Sequence, residues 1–236
     1  MLTDSLKLND DKSEFLIIGT PQQLAKIDIG NIRVGNCNVS TATSARNLGS
    51  WFDSMLSMST HITKLSSSSF YYLYNIRRIR KYLSRRCTET HVHSFITATI
   101  DYCNSLLYGL RDYRINKLQR IQNAAARLIC QQSRFCHITP LLFDLHWLPV
   151  KFRIELKIFL ITFKALKGLA PTYMDSLISM KSTSRYDLRS SNDSLLLSYP
   201  KPLSKATLGD RSFTYAAPKL WPERSSFGHQ ICEHCY

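Results

Sequence analysis

The residues best placed to do chemistry are basic. Arg77, Arg78, Arg80, Lys81, Arg85 and Arg86 fall within ten positions, RRIRKYLSRR, and nothing acidic interrupts them. On a helix, Ile76, Ile79 and Leu83 would face a core while Arg77, Arg78, Arg80 and Lys81 fan over the other side. Cations so arranged can neutralise phosphates along a nucleic-acid backbone, which fixes position without reading sequence. They can equally form a solvated helix face. Phe70, Tyr71, Tyr72, Tyr74 and Tyr82 lie beside them. Aromatics at helical spacing usually pack into a core, so core packing is expected ahead of base stacking. Lys117 and Arg120, with Arg127, form a second basic set at steps of three and seven, with Arg114 and Arg134 nearby. This set could extend the same groove or pair with internal acids.

Other chemistries find less support. There is no Gly-x-Ser-x-Gly elbow, no His-Glu-x-x-His and no Walker loop. His91 and His93 could sit beside Cys87, an arrangement that usually means packing. His229, Cys232, His234 and Cys235 are zinc-type ligands within seven residues. A structural zinc site normally draws two ligand pairs from either side of a loop of about 12–20 residues, so no metal is expected here. Seven cysteines without a secretory leader do not read as a disulfide framework, and Cys103, Cys130 and Cys136 are expected to be small buried thiols.

Composition agrees with a basic, folded chain. Of 236 residues, 44% are hydrophobic and 11% aromatic, too apolar for a disordered chain even at a net charge of +14. The charge is uneven. Residues 1–60 hold five basic and six acidic residues, so positions 61–236 carry +15. Such a module suggests a polyanionic partner, most often nucleic acid. No apolar run approaches the roughly 20 residues of a membrane span. The acidic start MLTDSLKLNDDKSEF is unlike a signal peptide, so an intracellular location, nucleus or cytoplasm, and no membrane partner are expected.

The elements that must position these residues follow from periodicity. SEFLIIG at 13–19 predicts a buried strand. Residues 31–53 predict two or more short strands with turns near Gly35-Asn36 and Gly49, after which sheet character ends at about Asp53. Apolar residues at three- and four-residue steps predict helices over 58–83, over 88–108 ending at Gly109, and over 112–131 with Asp112 as N-cap. A short helix is expected after Thr139-Pro140, a long one from Pro149 to about Lys167 closed by Gly168, and another short one from Ala170-Pro171 to about Ser179. Residues 181–208, rich in Ser, Asp, Arg and Pro, predict an extended segment.

Seven blocks in order resemble one family. They are LKLNDDKSEFLIIG (6–19), LGSWFDSMLSMSTHI (48–62), YLYNIRRIRKYL (72–83), IDYCNSLLYGL (100–110), KLQRIQNAAARLI (117–129), ITPLLFDLHWLPVKFRIELKI (138–158) and GDRSFTYAAPKLW (209–221). The order resembles the C-terminal part of non-LTR (LINE-type, jockey-like) retrotransposon reverse transcriptases, and covers residues 5–221 or so. The resemblance implies a fold: a predominantly α-helical α+β chain, with a small β remnant of a polymerase palm at 1–56, a basic helical thumb-like domain at 57–180, and an irregular segment with a divergent tail at 181–236. Leu8, Asn9 and Lys12 would follow the catalytic palm strand. Leu48 and Gly49 would resemble the primer-grip hairpin. Template–primer contact would fall to Arg77, Arg78, Arg80, Lys81, Arg85, Arg86, Lys117 and Arg120, with RNA or an RNA–DNA primer–template as partner.

The family's metal-binding carboxylates, an upstream Asp and a Tyr-x-Asp-Asp hairpin, do not occur in this sequence, nor does an endonuclease domain. RNA-directed DNA polymerisation needs two metal ions clamped at one point. The chain alone is therefore expected to be inactive and to need no cofactor, Mg²⁺ belonging to an intact family member. Lys12 carries over as a vestigial general acid, a role that requires the missing metal centre. After Trp221 the sequence PERSSFGHQICEHCY departs from the family, suggesting truncation, a frameshift or a splice artefact. The Phe15–Ile18 strand would lack sheet partners, an aggregation liability. The alternative function is a non-enzymatic module that binds protein on exposed apolar surface, the palm remnant included, or an inert transposon relic.

Overall fold

The computed structural model describes residues 13–35, 37–179, 197–198 and 209–221. Leu8, Asn9, Asp10, Asp11, Lys12 and the Cys/His tail therefore lie outside the described residues, as does the 181–208 segment apart from Leu197 and Ser198. The chain is predominantly helical with two small sheets, and so α+β. It divides into two compact units, residues 1–68 and 69–236.

The first unit holds all five described strands. β1 (Phe15–Leu16) runs parallel to β3 (Cys37–Ala42), with Phe15 opposite Thr41. The expected lone strand thus has a partner, but it is two residues long and half-buried, and Ile18 is exposed. Gly19 and Pro21 stop it, and Thr20 opens the short helix α1 (Pro21–Leu24) through a reciprocal cap with Gln23. β2 (Asn31–Val34) pairs antiparallel with β3. β4 (Ser44–Asn47) and β5 (Ser50–Asp53) form a hairpin across Leu48-Gly49. Both turn residues have positive φ, 45° and 86°. A two-residue turn with that pair of signs matches the right-handed twist of its strands.

Asp53 then turns the chain into a helix. Its carboxylate accepts from the Ser57 and Met58 N–H groups, at 3.1 and 2.7 Å. Helix α2 (Ser59–Ile79) follows, and its first turns bury Ile62 and Leu65 with Met58. His61 is buried beside them, and its Nδ1 accepts from the Trp51 N–H at 3.4 Å. Burial pushes the His61 imidazole below its ordinary value, so the ring is held neutral.

In the second unit the helices are shorter and more broken than periodicity predicts. α2 tightens into a 3₁₀ turn at Arg80–Tyr82. α3 (Arg85–Val92), N-capped by Ser84, widens into a π segment at His93–Thr97 and continues as α4 (Ala98–Asp101). The chain breaks there because Cys103 adopts φ 52°. A 3₁₀ turn over Asn104–Leu107 leads to Gly109, φ +69°, where a Cβ would meet the Arg211 side chain at 2.8 Å.

α5 (Asp112–Ile129) is the central element and buries Ile115, Leu118, Ile121, Ala125, Ala126, Leu128 and Ile129. Its N-cap is Arg111; Asp112 is instead the first helical residue, where its charge favours the helix N-terminus. α6 (Ile138–Asp144) starts two residues before Pro140. α7 (Val150–Leu166) buries Val150, Ile154, Ile158 and Thr162 at four-residue steps. Gly168, φ +67°, ends it: the Gly168 N–H reaches Ala165 O and the Leu169 N–H reaches Lys164 O. A 3₁₀ turn follows at Thr172–Leu177, where a short helix was expected, and α8 spans 213–221 after another at Gly209–Arg211. α8 packs Ala216 and Leu220 on Ile158 and stacks Trp221 on Phe159.

Cys37, Cys87, Cys103, Cys130 and Cys136 are only half-buried, where burial was expected for the last three. Among the described residues, no helix is long and apolar enough to cross a membrane.

Candidate nucleic-acid interface

The basic cluster separates into residues that face solvent and residues that hold the fold. Periodicity explains the split. Ile62, Leu65, Ser69, Leu73 and Ile76 form the buried seam of α2 at steps of three and four. The next position in that series is Arg80, not Ile79. Ile79 is accordingly 45% exposed, and Arg80 points inward. This corrects the expected fan of four outward cations.

Arg80 finds its partners at the end of α5. Its Nε donates to Leu128 O at 3.1 Å and Nη2 to Ile129 O at 2.9 Å, while Nη1 donates to Leu83 O at 2.8 Å. The last four carbonyls of a helix lack partners within it. Here Ala126 O accepts from the Cys130 N–H, Arg127 O from the Gln132 N–H, and Arg80 takes the other two. Gln131 at φ 53° makes that ending geometrically feasible, and its side-chain amide faces the Arg80 guanidinium. The guanidinium also cancels the negative pole of the α5 dipole.

Around this anchor lies a groove of about 550 Å³. Arg77, Arg80, Lys81, Arg127 and Arg134 line it together with Gln131 and Gln132, and no lining residue is acidic. Arg77, Lys81 and Arg134 are exposed. Arg127 is steadied by Cys136 O at 3.1 Å through Nη2, while its buried Nε has no partner. The two basic sets therefore meet through Arg127 and Arg134. Lys117 and Arg120 are exposed further along α5 and do not line the groove. Gln131 and Gln132, absent from the sequence reading, carry no charge signal by which to find them.

The remaining cations divide again. Arg78 is exposed, 5.9 Å from the Tyr74 ring centroid, and Arg86 is exposed. Arg85 pairs with Asp144 and with Glu89, and those hydrogen bonds, Asp144 first, raise its guanidinium further above its ordinary value. An arginine so matched has less charge to offer a phosphate. Burial, ahead of every other influence, pushes the neighbouring Cys130 thiol up, which keeps it protonated.

The aromatics overturn their expectation outright. Tyr71, Tyr74 and Tyr82 are 64%, 61% and 77% exposed, and Phe70 and Tyr72 are exposed too. Tyr71 and Tyr74 lie on the side of α2 away from the buried seam, Phe70 and Tyr72 flank the seam, and Tyr82 lies in the 3₁₀ turn that follows. His91 Nδ1 lies 2.7 Å from Cys87 O and 3.7 Å from Cys87 Sγ, so its closest partner is its own helix backbone. Leu48 sits at the hairpin tip, 82% exposed, with Gly49 beside it. Among the described residues no group of three His, Cys, Asp or Glu side chains could hold a metal ion. Compared with protein-family models, curated proteins and solved structures, the chain matches none.

Proposed function

We propose that this chain binds nucleic acid by sequence-independent phosphate contact, as the thumb-like part of a non-LTR retrotransposon reverse transcriptase that lacks the catalytic carboxylates. The observation that carries the reading is the groove itself. Five cationic side chains converge on one concave surface with no carboxylate among them. Like charges brought together without internal acids repel one another, and a polyanion relieves that repulsion. Arg77, Lys81 and Arg134 supply the solvent-exposed charges, while Arg80 and Arg127 are held by backbone carbonyls and fix the floor. The order of the seven sequence blocks supports the polymerase origin, with Leu48-Gly49 as the primer-grip-like hairpin.

The test is fluorescence anisotropy of a labelled RNA–DNA primer–template, titrated at several salt concentrations. Each phosphate neutralised contributes a slope of about −0.7 to −0.9 in log affinity against log salt, so three or four groove contacts predict roughly −2 to −4. Arg77→Glu/Lys81→Glu, which touches neither anchor, should abolish the binding with an unchanged circular dichroism spectrum. Salt-insensitive binding, or none by the folded protein, would overturn the reading and favour a protein partner.

A further inference from the structure

Phosphate contact does not explain the other exposed feature of α2. Tyr71, Tyr74 and Arg78 stand at steps of three and four on the face opposite Leu73 and Ile76, in a line about 10 Å long at 1.5 Å per residue. Phe70 borders the line on the side of Arg77 and Lys81. Tyr71 meets Tyr72 edge-on at 5.8 Å, and Tyr72 stacks on Phe95 at 5.1 Å, so the aromatic surface continues onto the π segment. Rings kept this exposed on a rigid helix gain little from folding. Along the line, the Arg78 guanidinium lies 5.9 Å from the Tyr74 ring centroid.

Resting on the nucleic-acid reading above, we infer that the Tyr71–Tyr74–Arg78 face stacks on unpaired bases, and that the ligand is single-stranded nucleic acid running from this aromatic line into the Arg77–Lys81 groove. Every base has a π face, so such stacking tolerates any sequence, and alternation of rings with cations suits a strand whose bases and phosphates are both open. A blunt duplex hides its base faces inside the stack. It can engage the cations but not the rings. Charge selects the same occupant: Arg77, Arg78 and Lys81 flank the rings, and no acid occurs between positions 54 and 88 to attract a basic peptide.

The experiment uses the whole chain and labelled mixed-sequence single strands, with the blunt duplex of equal length beside them. The single strand should bind more tightly at every salt concentration. Tyr71→Ala/Tyr74→Ala should weaken single-strand binding about tenfold or more, from the usual worth of a base–aromatic stack, while leaving duplex binding and the salt slope unchanged. Tyr71→Phe/Tyr74→Phe keeps the rings and should restore the affinity. Both pairs lie on the surface, so the circular dichroism spectrum should not move. Equal single-strand affinity in the Ala pair, or equal loss on duplex, overturns the stacking inference while the groove reading stands. Absence of salt-sensitive binding to either ligand overturns both.

Discussion

The two units are built on different physics. Among the described residues of the first unit, no apolar side chain before Met58 is fully buried, and the buried positions of its strands are polar, Ser50 and Asp53. Beside the buried Met58, Ile62 and Leu65 at its end, its order rests on specific polar contacts: the Asp53 turn, the Thr20–Gln23 cap, and the His61–Trp51 hydrogen bond. The second unit has a true apolar core, centred on α5, in which Leu118, Ile121 and Ala126 are wholly excluded from water. Polar groups serve that core at its ends. Gln119 Oε1 accepts from the first N–H of α7 at 2.9 Å, and Gln122 Nε2 donates to Leu148 O at 2.8 Å. Arg153 joins Asp101, and Arg211 donates to Tyr108 O. The comparison teaches where arginine is structural. In the second unit, carbonyls left over at helix ends and breaks are satisfied by guanidinium groups.

Three tests break or sharpen this contrast. The largest effect is expected from Ile121→Ala. Removing a large, fully buried side chain from a packed core costs about 2–5 kcal/mol, whereas Ile32→Ala in half-buried β2 should cost about 1 kcal/mol or less. Urea melts of both variants check the ratio, and equal losses would show that the sheet has a hidden core of its own.

A smaller loss is expected from Arg80→Ala, which strands the Leu128 and Ile129 carbonyls at about 1–3 kcal/mol. Arg80→Lys should not restore it, because an ammonium cannot serve carbonyls in three directions with a planar fork. Hydrogen exchange of the last turn of α5 would localise the damage, and an unaltered pattern there would return Arg80 to the phosphate-binding set.

The smallest effect concerns pH. The His61 value lies below its unfolded value of 6.5, so between the two the unfolded chain binds the extra proton. Stability of the first unit is therefore complete above pH 6.5 and declines as pH falls toward the lowered value. Amide cross-peaks for residues 50–65, followed through urea at pH 7 and pH 5, should show a lower midpoint at pH 5, and His61→Gln should flatten the difference.

Much of the fold was legible because its signals are local. The hairpin turns at Gly35 and Leu48-Gly49, the last strand ending at Asp53, and the glycine end of α7 at Gly168 all follow from residue types acting on their own backbone. Breaks were not legible. The π segment at His93–Thr97 and the reversal at Cys103 interrupt a stripe whose periodicity runs on undisturbed. Packing against α5 and α7, not propensity, sets where that chain turns. The tyrosines were misplaced for a related reason: aromatic spacing says that side chains share a face, but not whether a partner covers it.

The sequence by itself determined the charge, its concentration after residue 60, the helical seam from Ile62 to Ile76, and the α+β order of elements. One further step along that seam would have placed Arg80 inside. What that arginine is for, only the tertiary structure decided, because its acceptors at Leu128 and Ile129 lie 48 and 49 residues away in the chain. The same holds for the groove. Arg77 and Arg134 become neighbours through the meeting of two helix ends, and no local pattern encodes a meeting at such separation.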